Sequence, residues 1–141
     1  MGSFRKKVPL SNFDIIEKCQ ELNIKNFTDV FMRDELKGKA SKNECLILNI
    51  GHRNNNGTHW VSLFIKKGVC YYFDSYGFAP PLEVIDYCNN FIIDYSTYQI
   101  QMPGEVICGH YCIYVLYRLS SNTPFLAILN ELFKCSHKNI S

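Results

Sequence analysis

The chain has 141 residues, 47% of them hydrophobic, and its 15 basic and 13 acidic residues give a formal net charge of +2. This length favours one domain over residues 1–141, and the near-neutral charge does not demand a nucleic-acid partner. No run reaches the roughly 20 apolar residues of a membrane span. The seven cysteines show no disulfide framework and no secretory signal precedes them, so we expect an intracellular, reducing location, cytoplasmic or nuclear.

The first third of the chain predicts a capped helix and, after a loop, a buried strand. Ser11 or Asn12 can cap a helix that has Asp14 in its first turn. Lys37–Asn43 is polar and contains a glycine, so we expect a loop there. Glu44–Ile50 is a short apolar run of strand length. The helix has an apolar stripe of Ile15, Ile16, Cys19 and Leu22, and a less regular apolar patch follows at Phe27, Val30, Phe31 and Leu36.

A hairpin is predicted in the middle of the chain. Two β-rich runs, Trp60–Ile65 and Val69–Phe73, flank the turn sequence KKG at positions 66–68. His59 then stands at the start of one strand and Asp74 at the end of its neighbour. Because the strands of a hairpin are antiparallel, these two ends meet at one edge of the sheet. The sequence therefore predicts a His–Asp pair, although Asp74 could instead cap the turn that follows it.

The second half of the chain alternates predicted helices with one strand. Two prolines open a helix over residues 80–93, and residues 97–101 alternate as a strand. A helix runs from position 108 to about 121, and a last helix follows Thr123 and Pro124. The apolar stripes are Val84, Ile85, Cys88, Phe91 and Ile92 on the first of these helices and Leu126, Leu129, Leu132 and Phe133 on the last.

Cys108 is the candidate nucleophile. It begins the third predicted helix, where the macrodipole and the free N–H groups favour a thiolate, and Gly109 leaves room for a substrate backbone. His59 would take the thiol proton and Asp74 would orient the imidazole. Gln101, seven positions upstream, would donate its amide to the oxyanion. The alternatives are a small buried side chain at Cys108, a structural or surface histidine at His59, a local hydrogen bond at Gln101, and Gln99 as the donor.

Three motifs carry a resemblance to a known family. GTHW, YFDSYG and Q-x6-CG, in this order and at compact spacing, resemble the adenovirus-type cysteine protease, adenain, and the wider clan that holds the SUMO-deconjugating proteases. The resemblance covers roughly residues 46–119, and similar enzymes occur in Maverick/Polinton-type transposons. The six residues between Gln101 and Cys108 resemble adenain, whereas Asp74 resembles the SUMO proteases, since adenain has Glu there.

The resemblance implies a fold and a set of site residues. The fold is α+β, with a mixed, mainly antiparallel sheet packed against a helix that carries the nucleophile at its N-terminus. Trp60 borders the active site in this family and would support it. The catalytic residues that the resemblance implies are His59, Asp74, Gln101 and Cys108.

The activity implied is that of a cysteine endopeptidase acting on a protein or peptide substrate. It would mature viral or transposon structural proteins, often after small residues such as Gly, within a virion or a host cell. An isopeptidase for SUMO, ubiquitin or a related modifier is the first alternative, and an acyltransferase or inactive binding module is the second. No cofactor is expected, and Cys108, His110 and Cys112 do not predict a metal site, because only the two cysteines share a helix face.

Activation is a further implication of the resemblance. Adenain is activated by a peptide that joins it through a disulfide, and by DNA. Cys88 is the candidate anchor here, although its place in an apolar stripe also predicts a buried, inert thiol. The basic clusters are small, so we expect DNA binding to be weak and no membrane to be involved. These clusters are Arg5-Lys6-Lys7, the group Lys37, Lys39 and Lys42, and Lys66-Lys67.

Overall fold

The structure, a computed structural model, describes residues 9–51, 59–101 and 107–137. The predicted basic cluster at residues 5–7 and the first two residues of the GTHW motif lie outside these ranges. In chain order the elements are α1 (Asn12–Glu21), β1 (Phe27–Met32), a 3-10 turn (Arg33–Glu35), β2 (Glu44–Asn49), β3 (Trp60–Lys66), β4 (Val69–Phe73), α2 (Leu82–Tyr87), β5 (Ile92–Tyr95), α3 (Cys108–Ser120) and α4 (Phe125–His137).

The five strands form one mixed sheet whose spatial order follows the chain. The central strands β2, β3 and β4 pair antiparallel, and β1 and β5 are added in parallel at the two edges. The predicted hairpin is confirmed, since Lys66 pairs with Val69 across the turn. Lys67 and Gly68 have φ of 52° and 81°. Two consecutive left-handed residues match the twist of the flanking strands, so this turn fixes the register of the hairpin.

The sheet is buried on both faces, which explains the unbroken apolar sequence of β2. Side chains alternate along a strand, so β2 contributes to two cores. Cys45 and Ile47 belong to the core that β3, α1, α3 and α4 complete. Leu46 and Leu48 belong to the core on the other face, which α2 covers. The helix that begins at Cys108 therefore packs directly on the central strands.

The N-terminal cap of α1 is Ser11, one of the two residues predicted for this role. The hydroxyl of Ser11 accepts the Asp14 N–H at 3.1 Å, and the Asp14 carboxylate accepts the Ser11 N–H at 3.0 Å. This capping box satisfies two backbone donors that the helix itself leaves unpaired. It fixes the start of α1, which then buries Ile15 and Cys19.

Replacing Ser11 by alanine is expected to lower the free energy of unfolding by about 1 kcal/mol, since a lost N-cap typically costs this much. Urea denaturation followed by circular dichroism measures it. Ser41→Ala, at an exposed position in the loop before β2, is the matched control. Equal stability of the two variants would contradict a stabilising role of the capping box.

The helix predicted over residues 80–93 is wrong in its second half. α2 ends at Tyr87, and Ile92 begins β5, in which Ile93 pairs with Cys70 of β4. The outer edge of β4 presents backbone donors and acceptors that a strand satisfies and a helix does not. The pairing with β4 therefore decides the structure of residues 92–95, although the spacing of their apolar residues also fits a helix. In the predicted stripe Val84 and Cys88 are buried, whereas Ile85 and Ile92 are exposed.

The strand predicted at Thr97–Gln101 is also wrong, because this segment has no regular secondary structure. The N–H groups of Ile100 and Gln101 both donate to the carbonyl oxygen of Ser75, each at 2.8 Å. A strand ladder would distribute these two donors over different acceptors. The segment is thus held by hydrogen bonds to Ser75, in the turn that follows β4.

The two C-terminal helices begin near their predicted positions, and the loop predicted at Lys37–Asn43 contains no helix or strand. Among the described residues, no helix has both the length and the apolar character needed to cross a bilayer. Half of the stripe predicted for α4 is confirmed: Leu129 and Leu132 are buried, together with Phe125 and Ile128, whereas Leu126 and Phe133 are exposed.

Candidate active site

His59 and Asp74 lie side by side at the open end of the β3–β4 hairpin. His59 precedes the first residue of β3, and Asp74 follows the last residue of β4. The Nε2 atom of His59 is 2.8 Å from Oδ1 of Asp74. The backbone N–H of Tyr76 donates to the same oxygen at 2.8 Å. Because Asp74 is only 1% exposed, these contacts hold its carboxylate in one orientation toward the imidazole.

The surroundings of His59 favour its charged form. Burial alone disfavours the imidazolium, but hydrogen bonds to Asp74 and Cys108, and the negative charges of both, outweigh it and raise the pKa of His59 from 6.5 to about 9. The ring of Tyr76 lies against the imidazole, with 4.8 Å between centroids. The raised pKa favours the imidazolium form of His59, and an imidazolium beside a cysteine favours a thiolate.

Cys108 is the first residue of α3 and is 5% exposed. Within the described ranges, no side chain caps the start of this helix. The first N–H groups of a helix have no intrahelical acceptor, so they are directed at whatever lies beyond its end. The helix dipole and the imidazolium of His59 both favour negative charge at this sulfur. A sulfur in this setting can act as a nucleophile.

Gln101 is joined to the same region through Ser75, the residue after Asp74. The hydroxyl of Ser75 donates to Oε1 of Gln101 at 2.6 Å, and the backbone N–H of Gln101 donates to the Ser75 carbonyl at 2.8 Å. Gln101 is 1% exposed. Gln101 thus contacts Ser75, the chain neighbour of Asp74, and Asp74 contacts His59, which lies beside Cys108.

Gly77 allows the segment before Gln101 to approach this turn. Its φ is +78°, a conformation that L-residues rarely adopt. A Cβ at this position would lie 2.7 Å from the carbonyl oxygens of both Thr97 and Tyr98. Any side chain at Gly77 would therefore push away the segment that carries Gln101.

The predicted supporting residues pack against each other. Trp60 is 4% exposed and lies in the core beneath α3. A Cβ on Gly109 would be 3.2 Å from Cδ1 of Trp60. Gly109 thus permits close packing of α3 on β3, a different reason from the substrate approach that we predicted. Gln99, the rival oxyanion donor, uses its Nε2 to donate to the backbone oxygen of Gln101 at 3.3 Å.

The structure does not support Cys88 as an anchor for an activating peptide. Cys88 is 1% exposed, and its Sγ lies 3.3 Å from Sγ of Cys70 in the core under α2. A thiol buried in this position cannot form a disulfide with a partner while the domain is folded. The buried alternative is the one that the structure shows. All seven cysteines are free, and Cys135 is the exposed one.

Two residues of this site, Ser75 and Tyr76, were not predicted from the sequence. Both belong to the YFDSYG motif, but small and polar residues after a strand are typical of any turn. The contact of Ser75 with Gln101 joins residues 26 positions apart. It depends on the irregular return of the chain at residues 96–101, for which the sequence carries no periodic signal.

The fold occurs in solved cysteine protease structures. The ASFV pS273R protease matches with a TM-score of 0.69 and 18% identity, over 93% of this chain and 67% of that one. Its Se-Met structure gives a TM-score of 0.65 and 17% identity over the same shares of the two chains. A weaker match is the SUMO protease Ulp1 with its catalytic cysteine oxidized to a sulfonic acid, with a TM-score of 0.49 and 17% identity, over 91% of this chain and 74% of that one. No protein-family model and no curated protein matches the sequence. The predicted α+β fold of this protease type is confirmed.

Proposed function

We propose that the chain is a cysteine endopeptidase with His59, Asp74 and Cys108 as its catalytic triad and Gln101 as an oxyanion donor. The observation that carries this proposal is the 2.8 Å contact of His59 with Asp74, with Cys108 at the N-terminus of α3 close enough to His59 to help raise its pKa. The fold shared with the ASFV protease supports the same reaction class. Each residue has a neighbour of the right chemistry for its role.

The reaction begins with the thiolate of Cys108. Its electron pair forms a bond to the carbonyl carbon of the substrate, and the carbonyl π electrons move to the oxygen. The backbone N–H of Cys108 and the side-chain amide of Gln101 stabilise this oxyanion. The imidazolium of His59 then gives its proton to the leaving amine as the C–N bond breaks.

The acyl-enzyme is hydrolysed in the second half of the reaction. His59, now neutral, takes a proton from a water molecule, whose oxygen attacks the thioester carbon. The C–S bond breaks, the carboxylic acid leaves, and the thiolate–imidazolium pair is restored. Asp74 holds the tautomer and orientation of His59 throughout and does not itself gain the proton.

The substrates that we propose are structural proteins of a virus or transposon, cleaved after small residues. Purified chain is tested with a fluorogenic peptide ending in Gly-Gly and with SUMO- and ubiquitin-conjugated forms of the same fluorophore. The proposal predicts cleavage of the peptide by the wild type and none by Cys108→Ala. Strong preference for a conjugated modifier would establish an isopeptidase instead, and no turnover of any of these substrates would reject the proposal.

We propose appreciable activity without an activator, with at most a modest increase from a partner peptide or DNA. Within the predicted basic clusters, the described residues include the exposed lysines Lys37, Lys39, Lys42 and Lys67, and the net charge is only +2. DNA binding should be weak and should fall steeply with salt. Hydrolysis at low and high salt, with and without DNA, tests this. A wild type that is silent until DNA is added would contradict it.

Gln101→Ala is expected to lower kcat by roughly 10²–10³-fold, the usual cost of one oxyanion donor. Alkylation of Cys108 by iodoacetamide should persist, because displacement of iodide forms no oxyanion. Gln99→Ala is the matched control, since it removes a neighbouring amide that contacts only the Gln101 backbone oxygen among the bonds described above. A Gln101→Ala enzyme with the kcat of Gln99→Ala would reject the assigned role.

A further inference from the structure

We infer that Ser75 is a positioning residue that sets which end of the Gln101 amide donates to the oxyanion. The inference rests on the proposed function and adds a residue to it. Ser75 is completely buried and Gln101 is 1% exposed. The Ser75 hydroxyl donates to Oε1 of Gln101 at 2.6 Å, which is a short and direct hydrogen bond.

The orientation of this amide decides its function. The two ends of a glutamine side chain have almost the same shape, but Oε1 only accepts hydrogen bonds and Nε2 only donates them. A donor hydroxyl on Oε1 leaves Nε2 as the other arm of the planar amide. If the amide turned by 180°, an acceptor oxygen would stand where an oxyanion needs a donor, and the interaction would become repulsive.

The backbone contacts of Ser75 make the role of the hydroxyl separable. The Ser75 carbonyl accepts the N–H groups of Ile100 and Gln101, each at 2.8 Å. Alanine at position 75 keeps both contacts and removes the Oγ atom alone. Gly77, which admits the neighbouring segment, is also unchanged. Ser75→Ala should therefore leave Gln101 in place with its amide orientation less well defined.

The chain at Asp74 and Ser75 thus positions both the proposed base, His59, and the proposed oxyanion donor, Gln101. Asp74 orients His59, and the next residue along the chain orients Gln101. Loss of the Ser75 hydroxyl should affect oxyanion stabilisation without affecting the His59–Cys108 pair. This separation gives the inference a kinetic signature that general destabilisation would not reproduce.

The first experiment compares Ser75→Ala with Ser96→Ala. Ser96 is also buried, and its hydroxyl accepts the Tyr98 N–H at 2.8 Å in the segment that leads to Gln101. For Ser75→Ala we expect kcat to fall by roughly 10-fold, a fraction of the cost of a lost donor, with KM and the rate of Cys108 alkylation by iodoacetamide little changed. Ser96→Ala should retain the wild-type kcat. Equal losses in the two variants, or a parallel loss of alkylation, would overturn the inference.

The second experiment is a double-mutant cycle with Gln101→Ala. If Ser75 acts through the Gln101 amide, Ser75→Ala combined with Gln101→Ala should have the kcat of Gln101→Ala alone. Additive losses would overturn the inference. Wild-type kcat in Ser75→Ala with a large loss in Gln101→Ala would reject only the inference. An inactive wild type, or wild-type kcat in Gln101→Ala, would reject the proposed role of Gln101 and the inference with it.

Discussion

Cys108→Ser and His59→Ala are each expected to lower peptide hydrolysis by roughly 10⁴-fold or more. The hydroxyl of serine is a much weaker nucleophile than the thiolate, because it ionises far less readily beside the imidazole. Without His59, the thiolate loses its counter-ion and the leaving amine loses its proton donor. The losses should not add in the double variant, since the two residues act as one unit.

Two controls keep this result interpretable. Cys135→Ser replaces the exposed cysteine and should retain wild-type activity. His59→Ala leaves Asp74 buried without its imidazole partner and therefore costs stability. His59→Gln, which offers Asp74 a side-chain donor, is tested beside it, with folding followed by circular dichroism. A folded variant at either site with more than about a tenth of wild-type activity would reject the triad.

Asp74→Asn is expected to lower kcat by roughly 10²–10⁴-fold and to shift the pH profile of the enzyme. Oδ2 of Asp74 is buried with no hydrogen-bond partner among the described residues, and Oδ1 contacts His59 and accepts the Tyr76 N–H. Among these contacts, the imidazole is the one ionisable group that the carboxylate faces. Asparagine removes that charge and also permits the wrong orientation of the ring.

The direction of the pH shift follows from the pKa of His59. In the wild type, activity should fall as the pH rises through about 9, where the imidazolium that protonates the leaving amine is lost. In Asp74→Asn, burial is opposed by fewer favourable contacts, so the pKa of His59 should fall toward its ordinary value and the loss should begin at lower pH. Asp86→Asn, at an exposed position of α2, is the control. An unshifted profile, or an unfolded Asp74→Asn protein, would favour a turn-capping role of Asp74.

The His59–Asp74 pair could be predicted from sequence because its geometry is local. His59 and Asp74 are 15 residues apart and are joined by a hairpin whose turn is specified by residues 66–68. Antiparallel pairing then brings the two ends together without further information. The start of α3 was also predictable, since its apolar spacing is regular and begins at Cys108. These two features account for the three residues of the proposed triad.

The contacts that could not be predicted depend on distant parts of the chain. β5 forms because the edge of β4 needs a partner, and the apolar spacing of residues 84–92 fits a helix equally well. Cys88, at the end of α2, lies in the core beside Cys70, a contact across the fold that the sequence does not report. The role of Ser75 depends on the irregular segment before Gln101, where two N–H groups share one carbonyl. Periodicity describes single elements, and it does not report how a loop returns to a site.

The central claim is tested most directly by labelling with an electrophilic peptide, read by intact mass and peptide mapping. A Gly-Gly vinyl ester probe at low concentration should add once to the wild-type chain, at Cys108, although Cys135 is far more exposed. Asp74→Asn should still be labelled, more slowly, whereas His59→Ala should react little because its thiolate has lost the imidazolium. Labelling of Cys135 in preference to Cys108, or equal rates in the wild type and His59→Ala, would contradict the proposed protease site.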